Sequence, residues 1–130
     1  STNTGSSYGV TATTTDFRAA HNEAGDSTSL EYRTGTDLAQ STDPVHIFGG
    51  TGTGNENDEC AVAIIHLFNP SSTTFVKHFI ARTHGYSDDD RAYSNFSAGY
   101  FNTTSAIDAI QFANASGTMD AGDICLYGIL

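Results

Sequence analysis

The sequence predicts an all-β fold, a jelly-roll-like antiparallel β-sandwich of about eight strands. Three observations carry that expectation. Short β-branched and aromatic runs recur at roughly 10–15-residue spacing, divided by Gly, Asn, Asp and Ser. Charged residues are only 15% of the 130, against about 25% in an average soluble domain. Thr, Ser, Asn and Gly take their place, a mixture that suits strands and turns and serves helices badly. Finally, no segment holds a 3.6-residue period, and residues 36–41, the one weak helical candidate, are too few to matter.

The elements follow in order. Residues 1–9 are rich in Ser, Thr, Gly and Asn and read as a flexible N-terminal arm, loose or ordered only by a neighbour. Residues 10–130 are then a single β-sandwich domain, in keeping with the length. Residues 10–17 form a first strand on β-branched density, and Asn22, Gly25 and Asp26 supply a turn. Residues 29–33 form a second, with Leu30 and Tyr32 sharing one face. A short third, 45–48, follows Pro44, and residues 49–58 make the longest loop, without one apolar side chain.

Residues 60–68 are the most apolar run and read as a central strand covered on both faces. Asn69-Pro70-Ser71-Ser72 turns the chain. Residues 74–83 then alternate, Phe75, Lys77, Phe79 and Ala81 against Val76, His78, Ile80 and Arg82, so the pair reads as a hairpin. After a polar loop at 85–90, residues 92–101 bring Tyr93, Phe96, Tyr100 and Phe101. Two closing strands, 106–112 and 121–129, flank the Ser116-Gly117 turn.

Charge excludes two partner classes. Five Lys and Arg against 15 Asp and Glu leave a net charge of −10. Neither nucleic acid nor an anionic membrane surface finds a basic face here. No apolar run approaches the roughly 20 residues that span a bilayer. The sequence opens on Ser1 without a signal peptide, which fits removal of an initiator Met or of an upstream part. Cys60 and Cys125 both fall in expected strands, as two buried free thiols or as one disulfide between neighbouring strands.

Each candidate for chemistry has a simpler counterpart. Gly5-Ser6-Ser7-Tyr8-Gly9 spells a nucleophile-elbow string but lacks the strand before it and the helix after it that the elbow requires. Residues 49–54 are Gly-rich without P-loop spacing or a following Lys. Asp88, Asp89 and Asp90, like Glu56, Asp58 and Glu59, offer the oxygen ligands of a calcium site. They lack the alternating ligand spacing of an EF-hand, and solvated loop charge is the simpler reading. The five histidines form no metal motif, although His66 and His78 face across the expected hairpin. Tyr86, Tyr93 and Tyr100 are the candidates for a sugar-stacking platform, with core packing as the alternative. Asn95, Asn102 and Asn114 head Asn-x-Ser/Thr strings, which this composition produces by chance. Nothing singles out a paired carboxylate, so an enzyme is not expected.

The last quarter adds a resemblance. Ile107, Ile110 and Phe112 spell Ile-x-x-Ile-x-Phe, a small-residue turn follows, and Leu126-Tyr127-Gly128-Ile129 comes last. This order resembles the jelly-roll module of tailed-phage virion surface proteins. Leu67-Phe68-Asn69-Pro70-Ser71-Ser72-Thr73-Thr74-Phe75 is similar to the strand–Asn–turn–Thr segment midway through such modules, and Arg18 to Tyr32 is faintly similar to an earlier stretch. The resemblance implies a structural virion protein without a cofactor, a capsid decoration subunit or fibre knob on the particle surface. Its implied partners are further copies of itself, as a homo-oligomer and often a trimer, and other virion proteins. A carbohydrate- or host-receptor-binding sandwich, holding a host surface glycan, is the alternative.

Overall fold

A computed structural model describes residues 1–48, 52–119 and 121–129. It is all-β, with no helix among the described residues. The strands are β1 (Ala12–Asn22), β2 (Thr28–Tyr32), β3 (Ala61–Leu67), β4 (Lys77–Ser87) and β5 (Arg91–Phe101). They form one open five-stranded sheet in the order β2-β1-β5-β4-β3, with every pairing antiparallel.

Local sequence explains the framework. Alternation in β4 is strict: Lys77, Phe79, Ala81, Thr83, Gly85 and Ser87 are buried, while His78, Ile80, Arg82 and His84 are exposed. The period of two thus gives this sheet one inner and one outer face. β3 and β4 form the expected hairpin through the Pro70 turn, and β4 joins β5 through a tight turn at Asp88–Asp90. Asp90 takes φ +57°, a left-handed conformation that Asp tolerates better than most residues.

Residues 36–48, in the connection between β2 and β3, lie over the inner face. Thr14 N–H donates to Leu38 O (2.9 Å) and Leu38 N–H to Thr14 Oγ1 (2.8 Å), which lays this connection along β1. Buried Asp16 accepts from Thr36 Oγ1 (2.5 Å) and Ser97 Oγ (3.0 Å). Ala12, Ala20, Leu38, Phe79, Ala81 and Tyr93 are the buried apolar residues, interleaved with buried Thr14, Asp16, Thr83, Ser87, Asn95 and Ser97. The core is small and unusually polar. Even Lys77 is buried, and its ammonium donates to Phe75 O (3.0 Å) and Thr103 O (3.2 Å).

Five strands in one sheet stand where a sandwich of about eight was expected. Residues 45–48 lie across the inner face, where Thr83 Oγ1 donates to Ile47 O (2.6 Å) and Ser97 Oγ to His46 O (3.4 Å). Their carbonyls thus bond side-chain hydroxyls in place of a ladder. Residues 106–112 are not a strand either: Ile107 N–H donates to Pro70 O (2.8 Å) and Asp108 N–H to Ser1 O (3.0 Å). Thr4 N–H completes that clamp on Asp108 Oδ2 (2.9 Å), so residues 1–4 are pinned where a loose arm was expected. Among residues 121–129 no strand forms, and Leu126 is 89% exposed. β3, expected at the centre, is an edge. Of the Gly-rich loop, Gly49, Gly50 and Thr51 lie outside the described residues.

Candidate functional site

The register builds a continuous row across the outer face. Phe17 faces Tyr32 on one side and Phe96 on the other; Phe96 faces Arg82, and Arg82 faces Ile64. One residue from each of the five strands thus contributes to a single line, Tyr32–Phe17–Phe96–Arg82–Ile64. The Phe17 and Phe96 rings stack at 5.0 Å with an 8° interplanar angle. The Arg82 guanidinium lies 5.2 Å from the Phe96 centroid. Such cross-strand aromatic and cation–π pairs each contribute about 0.5–1 kcal/mol.

Apolar side chains continue on both sides of the row. Leu30, Val62 and Ile80 are exposed, as are Tyr32, Phe17 and Ile64. No described segment covers them. Solvated sheet faces ordinarily carry polar residues, and this one carries exposed apolar side chains on four of its five strands. At one end of the face, Thr13, Thr15, Phe68, His78, Ile80 and Tyr100 line a groove of about 370 Å³. Gln40 Nε2 donates to Tyr100 Oη there (3.1 Å), and the His78 ring lies 5.9 Å from that of Tyr100.

Acidic residues gather at the opposite end of the sheet. Tyr86 ionises far above its ordinary value, at about 12, because partial burial and the carboxylates of Glu23, Asp90 and Asp58 disfavour the phenolate. Its hydroxyl donates to Asp90 Oδ1 (3.4 Å). At the β2 edge the Tyr32 hydroxyl donates to Asp37 Oδ2 (2.9 Å), and this bond raises the Tyr32 pKa. Glu31 is held below the ordinary carboxylate range, chiefly by the 2.5 Å hydrogen bond from Arg18 Nε.

The expected site residues are dispersed. Tyr93 is buried on the inner face, donates to Asp89 Oδ2 (2.6 Å) and lies 4.3 Å beneath the Arg18 guanidinium. Burial and the Asp89 bond raise its pKa. Tyr86 and Tyr100 share the outer face but pair with Ala92 and His78, some eight positions and about 27 Å apart along the ladder. The three tyrosines therefore make no common platform. Asp88, Asp89 and Asp90 diverge as well: Ser87 Oγ donates to Asp88 (3.3 Å), Asp89 takes Tyr93 and Arg91 (3.8 Å), and Asp90 takes Tyr86. Among the described residues no group of three or more His, Cys, Asp or Glu gathers as metal ligands. Cys60 and Cys125 are free thiols, both exposed, where burial or a disulfide was expected. His66 and His78 are not opposed, since His66 faces Ile80.

The outer row itself was not singled out from the sequence. A signal existed in the apolar residues on both phases of residues 60–68 and in Phe17 and Phe96, but the face each residue takes follows only from the register. Comparison of the chain with protein-family models, with curated proteins and with solved structures found no match in any of the three.

Proposed function

We propose that the chain is a structural virion protein of a tailed phage, displayed on the particle surface as a capsid decoration subunit or fibre knob. It works assembled with copies of itself, as a trimer, and with other virion proteins. The observation that carries this reading is the mostly apolar row from Tyr32 to Ile64, whose members on β2, β1, β4 and β3 are exposed and whose Phe96 on β5 is half-buried. An exposed apolar sheet face is stabilised by packing a second layer at about 10 Å. In this reading the neighbours supply that layer, and the jelly-roll-like sandwich is complete only in the particle. The phage assignment rests on the Ile-x-x-Ile-x-Phe and Leu-Tyr-Gly-Ile strings. Immunogold labelling of particles of the encoding virus, with antibody raised against this chain, tests it. Gold on intact heads or tails is the expected result, and unlabelled particles would overturn the reading.

The groove beside Tyr100 favours a second reading, a host-glycan-binding module. It combines the rings of Tyr100, Phe68 and His78 with the side chains of Thr13 and Thr15, whose hydroxyls already bond Gln40 and Ala98, in a volume of about 370 Å³, suited to one or two sugar rings. Glycan-array binding that Tyr100→Ala abolishes would support it, and an array without signal would remove it.

A further inference from the structure

We infer that residues 124–129 of one copy add as a strand to the free edge of β3 in a second copy, an inference that rests on the assembly reading above. Three observations meet. First, the edge of β3 is unprotected. Natural edge strands carry charges, prolines or bulges that block pairing, yet β3 is regular and no Asp, Glu, Lys or Arg occurs from residue 60 to residue 76. Val62 and Ile64 are exposed on its outer face, and no described strand borders its far side.

Second, the same chain carries a strand without a ladder. Ile124-Cys125-Leu126-Tyr127-Gly128-Ile129 is uncharged and apolar on both phases, the pattern of a strand covered on both sides. It forms no strand here, and Leu126 and Ile129 are each 89% exposed. Six residues span about 20 Å and the seven of β3 about 23 Å, so the lengths match.

Third, charge restricts where copies meet. Each carries −10, so close approach is repulsive over most of the surface. Two uncharged strands are a place where it is not. A chain with one free donor strand and one free acceptor edge makes a heterologous contact. Such a contact closes into a ring such as a trimer where the rotation between copies returns on itself, and runs on as a filament where it does not.

Complementation tests this. Ile64→Asp spoils the acceptor and leaves the donor; Leu126→Asp does the reverse. Both side chains are exposed in the single chain, and circular dichroism verifies that each variant keeps its sheet. Light scattering should give an oligomer for the unmodified chain, favoured by salt, and a monomer for each variant. An equimolar mixture should form a species of twice the monomer mass and nothing larger, because one intact donor and one intact acceptor are present. Hydrogen exchange of the unmodified chain should protect residues 61–67 and 124–129 together and release them together on dilution. An oligomer that survives Leu126→Asp, a mixture that stays monomeric, or an oligomer whose residues 124–129 exchange freely would overturn strand addition and leave the assembly reading standing. An unmodified chain that is monomeric throughout would overturn both, including by pairing of the segment within its own chain.

Discussion

Asn95 offers a sharp test of the packing. It is 1% exposed on the inner face of β5, and among the described residues neither amide atom has a hydrogen-bond partner. Its cross-strand neighbours are Arg18 and Thr83. Their polar atoms are engaged elsewhere, Thr83 Oγ1 with Ile47 O and Arg18 with Glu31 and the Tyr93 ring. A buried, unpaired amide costs about 1–3 kcal/mol. Leucine has the same number and branching of side-chain heavy atoms and none of that penalty. Adding its burial gain and subtracting about 1 kcal/mol for tighter packing leaves Asn95→Leu more stable by about 2 kcal/mol. At about 2.1 cal/mol/K per residue, that raises the Tm of a 130-residue chain by about 7 °C. Thermal and urea denaturation, read by circular dichroism, measure it. Asn95→Asp should do the opposite, with a greater loss at pH 7 than at pH 4, because burial disfavours the ionised carboxylate. A lower Tm for Asn95→Leu than for the unmodified chain would mean that the Asn95 amide stabilises the native sheet and is not an unpaired cost.

Three further outcomes are expected. A Cβ at Gly99 would strike Thr13 O and come within 2.9 Å of Thr14 Cα, so Gly99→Ala should separate β1 from β5 and lower stability by about 2–3 kcal/mol in urea; an unchanged midpoint would contradict that register. The lowered pKa of Glu31 contributes stability fully above its ordinary value of 4.5 and loses it as pH falls through the lower folded value. Glu31→Gln should therefore cost about 0.5 kcal/mol at pH 7, the worth of an exposed pair, and flatten the acid limb of a stability–pH curve. Tyr86 should ionise near pH 12 by ultraviolet titration, with the stability it lends present below 10 and lost between 10 and about 12; Glu23→Gln should bring that midpoint down.

Much of the sheet was legible because its strands alternate. In β4, Phe79 and Ala81 fall inside while Ile80 and Arg82 fall outside, as period two requires. The Pro70 hairpin and the aromatic run of β5 were equally plain. Position within the sheet was not legible. Residues 60–68 look central because both phases are apolar, and that composition reflects the need for cover, not which neighbour provides it. The same holds for residues 106–112 and 121–129, whose strand pattern goes unused without a ladder partner. Residues 45–48 failed for another reason, since the Thr83 and Ser97 hydroxyls bond their carbonyls. Part of the site was decidable in advance: Tyr93 and Tyr100 sit seven positions apart on one strand, so they face opposite ways. Three consecutive aspartates in a tight turn likewise splay apart, and their divergence follows from the turn.

Light scattering of the purified chain, with and without EDTA, tests the assembly claim most directly. The expected result is a particle of three or more 13.7 kDa chains whose mass and melting temperature are indifferent to EDTA. A monomer at every concentration and salt, losing thermal stability when EDTA is added, would contradict it and favour a calcium-dependent binding module.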